Sequence, residues 1–251
     1  QQPSSSSKEE DTTPGLPPLR ILLAEDNPIN QRVAQQLLSV AGHTVDTVGD
    51  GELAVERIST APNDFDVILM DIQMPKLNGH DATRRIRSAE KGTGRHIPIV
   101  GLTAHAMAAD REECLAAGMD DFVPKPVRRQ ALLEALARAV EASGAQPASA
   151  TPDQNAVAGE VATSAASNIE IINAEVFDDL QALASEGDFS MGEMVDLFQE
   201  QGRQLLDLIE TTRAAGDLES FTRHAHTLKG SALDLGAARL GAVAKQLEAL
   251  G

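Results

Sequence analysis

The chain has 251 residues, which is long enough for two domains of ordinary size. Its formal net charge of −17 excludes a typical nucleic-acid-binding protein, because phosphate backbones require clustered Lys and Arg. No apolar run approaches the roughly 18 residues that cross a bilayer, and no signal-peptide pattern opens the chain. The single cysteine, Cys114, excludes an internal disulfide framework and suits a reducing compartment. We therefore expect a cytoplasmic segment that contacts other proteins and makes no membrane contact.

Composition and periodicity divide the chain into four parts. Residues 1–18 are rich in Ser, Pro and charge, which predicts a flexible leader. Residues 19–142 alternate strand and helix five times, with strands predicted at 19–24, 44–48, 66–71, 97–102 and 119–123 and helices at 28–41, 50–60, 79–89, 105–117 and 127–142. This alternation predicts a doubly wound α/β domain with a flavodoxin-like parallel sheet of order 2-1-3-4-5.

The second half of the chain has a different pattern. Residues 143–168 are dominated by Ala, Ser, Thr, Pro and Gly, which predicts a linker. Residues 169–251 show no strand pattern, and apolar residues at helical spacing predict helices at 173–183, 188–212, 217–235 and 237–250. Such helices with short connections predict an all-α helical bundle.

Three carboxylates follow two strands of the predicted sheet. Asp71 ends a strand that is buried on both faces, and Glu25-Asp26 ends the first strand. These strand ends are neighbours in a sheet of order 2-1-3-4-5. At about 4 Å and an effective dielectric constant near 20, each pair repels by about 4 kcal/mol, so the cluster favours a proton or a bound cation. Oxygen ligands alone favour Mg²⁺.

Two more polar residues follow strands at the same edge. Thr103 comes after the fourth strand and Lys125 after the fifth. Alone, Thr103 is equally well explained as a helix cap, and Lys125 as a solvated loop residue. Together with a carboxylate nucleophile and a cation site, they suit phosphoryl transfer to Asp71.

Four motifs give this domain its family resemblance. Residues 19–140 resemble the receiver domain of two-component signalling proteins in the runs Leu23-Ala24-Glu25-Asp26-Asn27, Met70-Asp71-Ile72-Gln73-Met74-Pro75, Leu102-Thr103-Ala104 and Asp121-Phe122-Val123-Pro124-Lys125-Pro126. The resemblance implies that Asp71 is the phosphoacceptor and that Thr103 and Lys125 contact the phosphoryl group. It also implies that Glu25, Asp26 and the Gln73 carbonyl hold Mg²⁺ with Asp71, and that the Lys125–Pro126 bond is cis. Phe122 occupies the switch-aromatic position of the family, although a plain core role explains it equally well.

The second candidate site lies on the third predicted helix of the bundle. Five apolar residues form its core stripe: Phe221, Ala225, Leu228, Ala232 and Leu235. His226 lies well off this stripe, and Lys229 and Gly230 share its face, so we expect an exposed histidine beside a cation. Gly230 costs roughly 1 kcal/mol in a helix interior, which favours close approach of a partner there. His224 borders the core, and Asp234 is predicted to lie off it.

This helix carries the second family resemblance. The run His226-x-Leu228-Lys229-Gly230-Ser231, followed by Leu235-Gly236-Ala237, resembles the histidine phosphotransfer (HPt) domain over about residues 170–251. The resemblance implies that His226 is phosphorylated, with its charge offset by Lys229. The resemblance also leads us to expect that the last helix of that family is missing from this segment.

A receiver followed by an HPt domain resembles the C-terminal part of an unorthodox hybrid sensor histidine kinase, a family compatible with a parent protein anchored in the inner membrane. This implies a phosphorelay, in which an upstream histidine kinase domain phosphorylates Asp71, the phosphoryl group passes to His226, and a separate response regulator receiver accepts it. The sequence has no Gly-rich nucleotide-binding motif, so we expect no use of ATP by this segment. Two alternatives stay open: a non-catalytic docking module of a sensor kinase, and a metal-dependent phosphatase, which the absence of an Asp-x-Asp motif at Asp71 disfavours.

Overall fold

The computed structural model describes residues 16–104, 108–144, 170–186 and 190–250. Most of the predicted leader and nearly all of the predicted linker lie outside these described residues. The described chain forms a sheet domain and a helical domain. Within it, no helix is both long enough and apolar enough to cross a bilayer.

The sheet domain contains five parallel strands in the order β2-β1-β3-β4-β5, as predicted. Its strands are β1 Arg20–Ala24, β2 Thr44–Val48, β3 Val67–Asp71, β4 Ile99–Thr103 and β5 Asp121–Pro124. Its helices are α1 Pro28–Val40, α2 Gly51–Thr60, α3 Gly79–Glu90, α4 Ala108–Ala117 and α5 Arg129–Gly144. Every residue of β3 and β4 is buried, because helices cover both faces of the sheet.

The fifth strand begins two residues later than the sequence predicts. Gly118, with φ of +99°, ends α4, and the amide of Met119 donates to the Cys114 carbonyl. That hydrogen bond completes the helix end and removes the Met119 amide from the sheet ladder. At the other end the ladder continues beyond the prediction, because the Lys125 amide donates to the Thr103 carbonyl at 2.7 Å.

The helical domain contains α6 Ala174–Glu186, α7 Met191–Ala215, α8 Leu218–Asp234 and α9 Ala238–Glu248, which confirms the predicted all-α architecture. Gly216 and Gly236, with φ of +72° and +74°, allow the sharp turns after α7 and α8. The core between α7, α8 and α9 is small and aliphatic apart from one aromatic ring, and consists of Leu205, Ile209, Phe221, Ala225, Leu228 and Ala244.

The two domains share one apolar cluster. Val33 and Leu37 on α1 belong to the same cluster of buried residues as Leu180 and Leu183 on α6 and Met194 on α7. Helix α8 also contacts α1. Consequently, α8 of the helical domain lies against the edge of the sheet at which the parallel strands end.

Candidate functional site

Three carboxylates lie together at the carboxyl edge of the sheet. Glu25 and Asp26 directly follow β1, and Asp71 is the last residue of β3, which is paired with β1. One carboxylate oxygen from each of the three lies within 4.8 Å of the other two. Glu25 and Asp71 are buried, so their charges are poorly screened by solvent.

The ammonium group of Lys125 lies between two of these carboxylates. Its Nζ is 2.7 Å from Oε2 of Glu25 and 2.9 Å from Oδ2 of Asp71. Burial lowers the pKa of Lys125, but the charges of Asp71 and Glu25 outweigh that effect and raise it above the ordinary lysine range. Lys125 therefore stays charged, and the pocket contains a buried cation within reach of the Asp71 carboxylate.

One ammonium does not neutralise three carboxylates. Burial and the neighbouring Asp71 charge raise the pKa of Glu25 to about 8, and the same two causes raise the pKa of Asp26 to about 6. The cluster therefore binds protons readily, and a divalent cation would relieve the same repulsion. All three side chains offer oxygen ligands, which fits the preference of Mg²⁺.

The loop after β3 holds the Asp71 main chain in place. The amide of Gln73 donates to Oδ1 of Asp71 at 3.2 Å, while the Gln73 side chain is exposed. A Cβ atom on Gly79 would lie 2.1 Å from the Asp71 carbonyl oxygen, so only glycine permits this close packing. The Gly79 amide also donates to the Ile72 carbonyl at 2.9 Å. The start of α3 thus fixes the main chain of Asp71, and the Gln73 amide holds its carboxylate.

Thr103 lies at the carboxyl edge of the sheet, and Phe122 lies within the neighbouring strand β5. Thr103 is buried as the last residue of β4, where its carbonyl accepts the Lys125 amide. The Lys125–Pro126 peptide bond is cis. Phe122 is half-buried and packs against the apolar cluster that contains Met70, on the opposite face of the sheet from α1.

His226 is not the exposed histidine that the sequence predicts, since only 12% of its side chain is accessible. Its Nδ1 lies 2.5 Å from Oε1 of Glu248 on α9, and the sheet domain covers the helix face beside it. Among the described residues, no hydrogen bond engages the other ring nitrogen, Nε2. The imidazole is thus held by one nitrogen, and the other is available for chemistry.

Lys229 is also buried, which differs from the predicted surface lysine. Its Nζ is 2.6 Å from Oε2 of Glu248 and 3.3 Å from Nδ1 of His226. Burial raises the pKa of Glu248, but the hydrogen bonds from His226 and Lys229 outweigh it and lower that pKa to about 2. Glu248 therefore remains an anion that binds both the imidazole and the ammonium group.

Sequence reasoning missed Glu248. The signal that could have found it is the geometry of a helical hairpin, because α8 and α9 are antiparallel and their turn is centred near Gly236. Residues at equal distances from the turn lie opposite one another. His226 precedes Gly236 by about as many residues as Glu248 follows it, so the two are expected to meet.

Two other residues of α8 lie close to the domain boundary or the core. Asp234 is buried against the sheet domain rather than solvated, and the Val127 amide hydrogen-bonds its carboxylate. Burial and the Asp71 charge raise the pKa of Asp234 to about 6. His224 is half-buried, as its predicted position beside the core suggests, and burial lowers its pKa.

The two candidate sites line a single pocket between the domains. The sheet domain contributes the acidic cluster and Lys125, and α8 contributes the His226 face. Helix α1 approaches Gly230, where an added Cβ would lie 3.5 Å from Nδ2 of Asn30, an ordinary van der Waals distance. The described lining residues are Glu25, Asp26, Asn27, Asn30, Asp71, Ala104, Lys125, His226, Thr227, Lys229, Gly230 and Leu233.

Two family models match the chain, one to each domain. Residues 21–137 match the response regulator receiver domain, and residues 193–251 match the Hpt domain. The chain is 30% identical to the sensor histidine kinase GacS of Pseudomonas protegens over 249 residues, which cover 97% of this chain and 25% of that kinase.

Two further similarities involve the receiver alone. The two-component response regulator ORR41 of Oryza sativa is 43% identical over 122 residues, which cover 48% of this chain and 93% of that regulator. The solved receiver domain of a sensor histidine kinase from Pseudomonas aeruginosa, with magnesium in its active-site cleft, is 44% identical and covers 50% of this chain and 99% of that one, with a TM-score of 0.44.

The chain spans a small part of the kinases that it resembles, since it covers 12% of histidine kinase 1 of Arabidopsis thaliana and 25% of GacS. The sheet order, the two domain matches and the match to almost the whole of a response regulator agree with one another. The chain therefore belongs to the two-component signalling proteins, as a receiver domain joined to an Hpt domain with a role in a phosphorelay.

Proposed function

We propose that the chain relays a phosphoryl group between Asp71 and His226 within one molecule. The observation that supports this most strongly is the shared pocket, which both residues line. An upstream histidine kinase domain of the parent protein phosphorylates Asp71, and His226 then passes the group to the receiver of a separate response regulator. The same residues carry the phosphoryl group in the opposite direction when the regulator is dephosphorylated.

The transfer step follows from the hydrogen bonds of the imidazole. With the proton of the neutral ring on Nδ1, in the bond to Glu248, the Nε2 lone pair attacks the phosphorus of the Asp71 acyl phosphate. The bond between phosphorus and the Asp71 oxygen breaks, and the carboxylate leaves with its electron pair. The ring becomes positively charged, keeps its Nδ1 proton, and is stabilised by the Glu248 anion.

One lysine offsets negative charge at the leaving group, Asp71, and another does so at the acceptor, His226. Lys125 neutralises the carboxylate that Asp71 regains, and its 2.9 Å contact with Oδ2 already has the required position. Lys229 lies on the His226 side, where it offsets the charge of the transferred group. Thr103, at the end of β4, is proposed to hydrogen-bond a phosphoryl oxygen.

Glu25, Asp26, Asp71 and the Gln73 carbonyl are proposed to hold Mg²⁺, which would supply charge neutralisation of the phosphoryl oxygens when bound. The raised pKa values of Glu25 and Asp26 support this assignment, because burial and the Asp71 charge disfavour further negative charge in the cluster and a cation would offset it. We place the relay in the cytoplasm, where the single cysteine stays reduced.

The relay is tested by following labelled phosphate from a cognate kinase core to the full chain with Mg²⁺, in the wild type and in Asp71→Asn and His226→Gln variants. We expect label on Asp71 and then on His226 in the wild type, label on Asp71 alone in His226→Gln, and no label in Asp71→Asn. Acid lability identifies the phosphohistidine. If Asp71 is labelled and His226 never is, the helical domain is a docking module and the relay proposal is wrong.

A further inference from the structure

One of the polar contacts between the two domains centres on a single receiver side chain, Asn27. Its Nδ2 donates to Oγ of Ser231 at 2.5 Å and approaches the Thr227 carbonyl at 3.5 Å. Its Oδ1 accepts from Nε2 of Gln201 at 3.0 Å. Gln201 and Ser231 are joined in turn, since the Ser231 hydroxyl lies 3.2 Å from Oε1 of Gln201. We call Asn27, Gln201 and Ser231 the Asn27 network.

The network differs from an incidental surface contact in its burial. Asn27 is 2% exposed and Ser231 is 1% exposed, so neither can exchange its partner for water while the domains are docked. Buried amides that lose a partner are costly, and this makes such contacts selective for the group they fit. Both ends of the Asn27 amide are used, so a side chain with only donors or only acceptors does not replace it.

Asn27 also has a local role that can be separated from the contact. It is the N-cap of α1, where its Oδ1 accepts the Ile29 amide at 3.0 Å. Serine caps helices about as well as asparagine does. The cap requires only an acceptor, so the Nδ2 group is spare within the receiver. The hydrogen bonds that Nδ2 donates go to the helical domain, at Ser231 and Thr227.

We propose that Gln201 and Ser231 form a recognition site for a receiver asparagine, and that the partner that fits the His226 surface is a receiver domain whose first helix is capped by an asparagine directly after its acidic pair. This inference rests on the proposed relay and adds the basis of partner choice to it. Because Ser231 is five residues from His226 on the same helix, a receiver held by this network has its acidic edge beside the imidazole. The chain's own receiver and a separate regulator then exclude one another.

The test uses the full chain and two readouts. Asp71 is loaded with labelled acetyl phosphate, an acyl phosphate like the aspartyl product, and the appearance of label on His226 is timed. In parallel, without phosphate, the rate at which diethyl pyrocarbonate modifies His226 is measured by mass spectrometry, because only 12% of that side chain is exposed when the two domains are docked. The variants are Gln201→Ala, Ser231→Ala, Asn27→Ser and the double variant Asn27→Ser/Gln201→Ala. Gln204→Ala is the matched control, since Gln204 lies on the same helix, is exposed and bonds only Glu200 among the described residues.

We expect each single variant to slow transfer about 3- to 10-fold and to raise His226 modification, the size expected for one hydrogen bond. The double variant is expected to be no slower than the slower single variant, because both changes remove the same contact. Gln204→Ala is expected to match the wild type. Unchanged His226 protection in Gln201→Ala and Ser231→Ala overturns the proposal, as do additive effects in the double variant. If the wild type itself transfers no label, the relay is wrong, and the protection data still decide whether the network holds the domains together.

Discussion

Glu248 and His226 are 22 residues apart in sequence, yet Oε1 of Glu248 and Nδ1 of His226 lie 2.5 Å apart across the α8–α9 hairpin. Under the proposed relay, this contact selects which ring nitrogen reacts, because a proton held between Nδ1 and the Glu248 carboxylate leaves the lone pair on Nε2. Glu248 is therefore a positioning residue for the transfer step.

Removing the Glu248 carboxylate is expected to slow phosphoryl transfer to His226. Glu248→Ala frees the imidazole to rotate and to change tautomer, so we expect at least a 10-fold loss of rate. Glu248→Gln keeps a hydrogen-bond acceptor and is expected to retain more activity. The timed transfer from Asp71 measures both. Gln246→Ala, an exposed change on the same helix, serves as control and should leave the rate unaltered.

The same residue gives the helical domain a predictable pH dependence. The pKa of Glu248 is about 2 in the folded protein, below its ordinary value of 4.5. A carboxyl group with a lowered pKa stabilises the fold above its ordinary pKa, and this contribution is lost as the pH falls toward the folded value. The difference in free energy of unfolding between the wild type and Glu248→Gln should thus shrink between pH 4.5 and 2. Denaturant unfolding at a series of pH values measures it, and a difference that stays constant across this interval contradicts the assignment.

Replacing Gly79 should destabilise the sheet domain. In Gly79→Ala the new Cβ meets the Asp71 carbonyl oxygen at 2.1 Å, and the main chain has to move to accommodate it. We expect a loss of about 3 kcal/mol in the free energy of unfolding, at the upper end of typical overpacking effects. Gly49→Ala is the matched control, because nothing lies within 4 Å of the Cβ it adds. Equal stability of the two variants would show that the loop adapts freely.

Magnesium should stabilise the folded receiver, and the rise in melting temperature should be larger where Mg²⁺ binds more tightly. A ligand that binds only the folded state raises the melting temperature, so Mg²⁺ is expected to raise it in the wild type at constant ionic strength. The rise should be smaller in Asp26→Asn. It should also be larger at pH 8 than at pH 6, because Mg²⁺ competes with protons for carboxylates whose pKa values are about 8 for Glu25 and about 6 for Asp26. Glu52→Gln, an exposed change on α2, is the control.

The sequence was sufficient to predict that the polar residues after the strands lie at one edge of the sheet, because parallel strands bring their carboxyl ends together. Glu25 and Asp71 belong to adjacent strands, so the strand order makes them neighbours. The strand order places Lys125 only at the same edge, one strand further along, and the structure adds that its Nζ contacts both carboxylates. The limits of β5 were wrong by two residues at its start, since the hydrogen bond that ends α4 is invisible in an apolar pattern.

The environment of His226 was not predictable in the same way. Helical periodicity correctly separated His226 from the core of the bundle. It distinguishes only an apolar face from a polar face, and it cannot show that a second domain covers the polar face. The burial of Lys229 and Asp234 follows from that covering and from Glu248, which lies on another helix. Contacts between separate helices cannot be predicted from the periodicity of either helix, and they become visible only in the three-dimensional structure.

The enclosed position of Asp71 and His226 affects how long a signal lasts. An aspartyl phosphate is a mixed anhydride, which water hydrolyses. With the helical domain in place, the imidazole is the nucleophile that borders the Asp71 pocket, and the walls of that pocket leave little room for solvent. Once the domains separate, water reaches the acyl phosphate freely. Under the proposed relay, the time that the two domains spend docked therefore sets how long the acyl phosphate is shielded from water, and transfer to a separate regulator requires the domains to part.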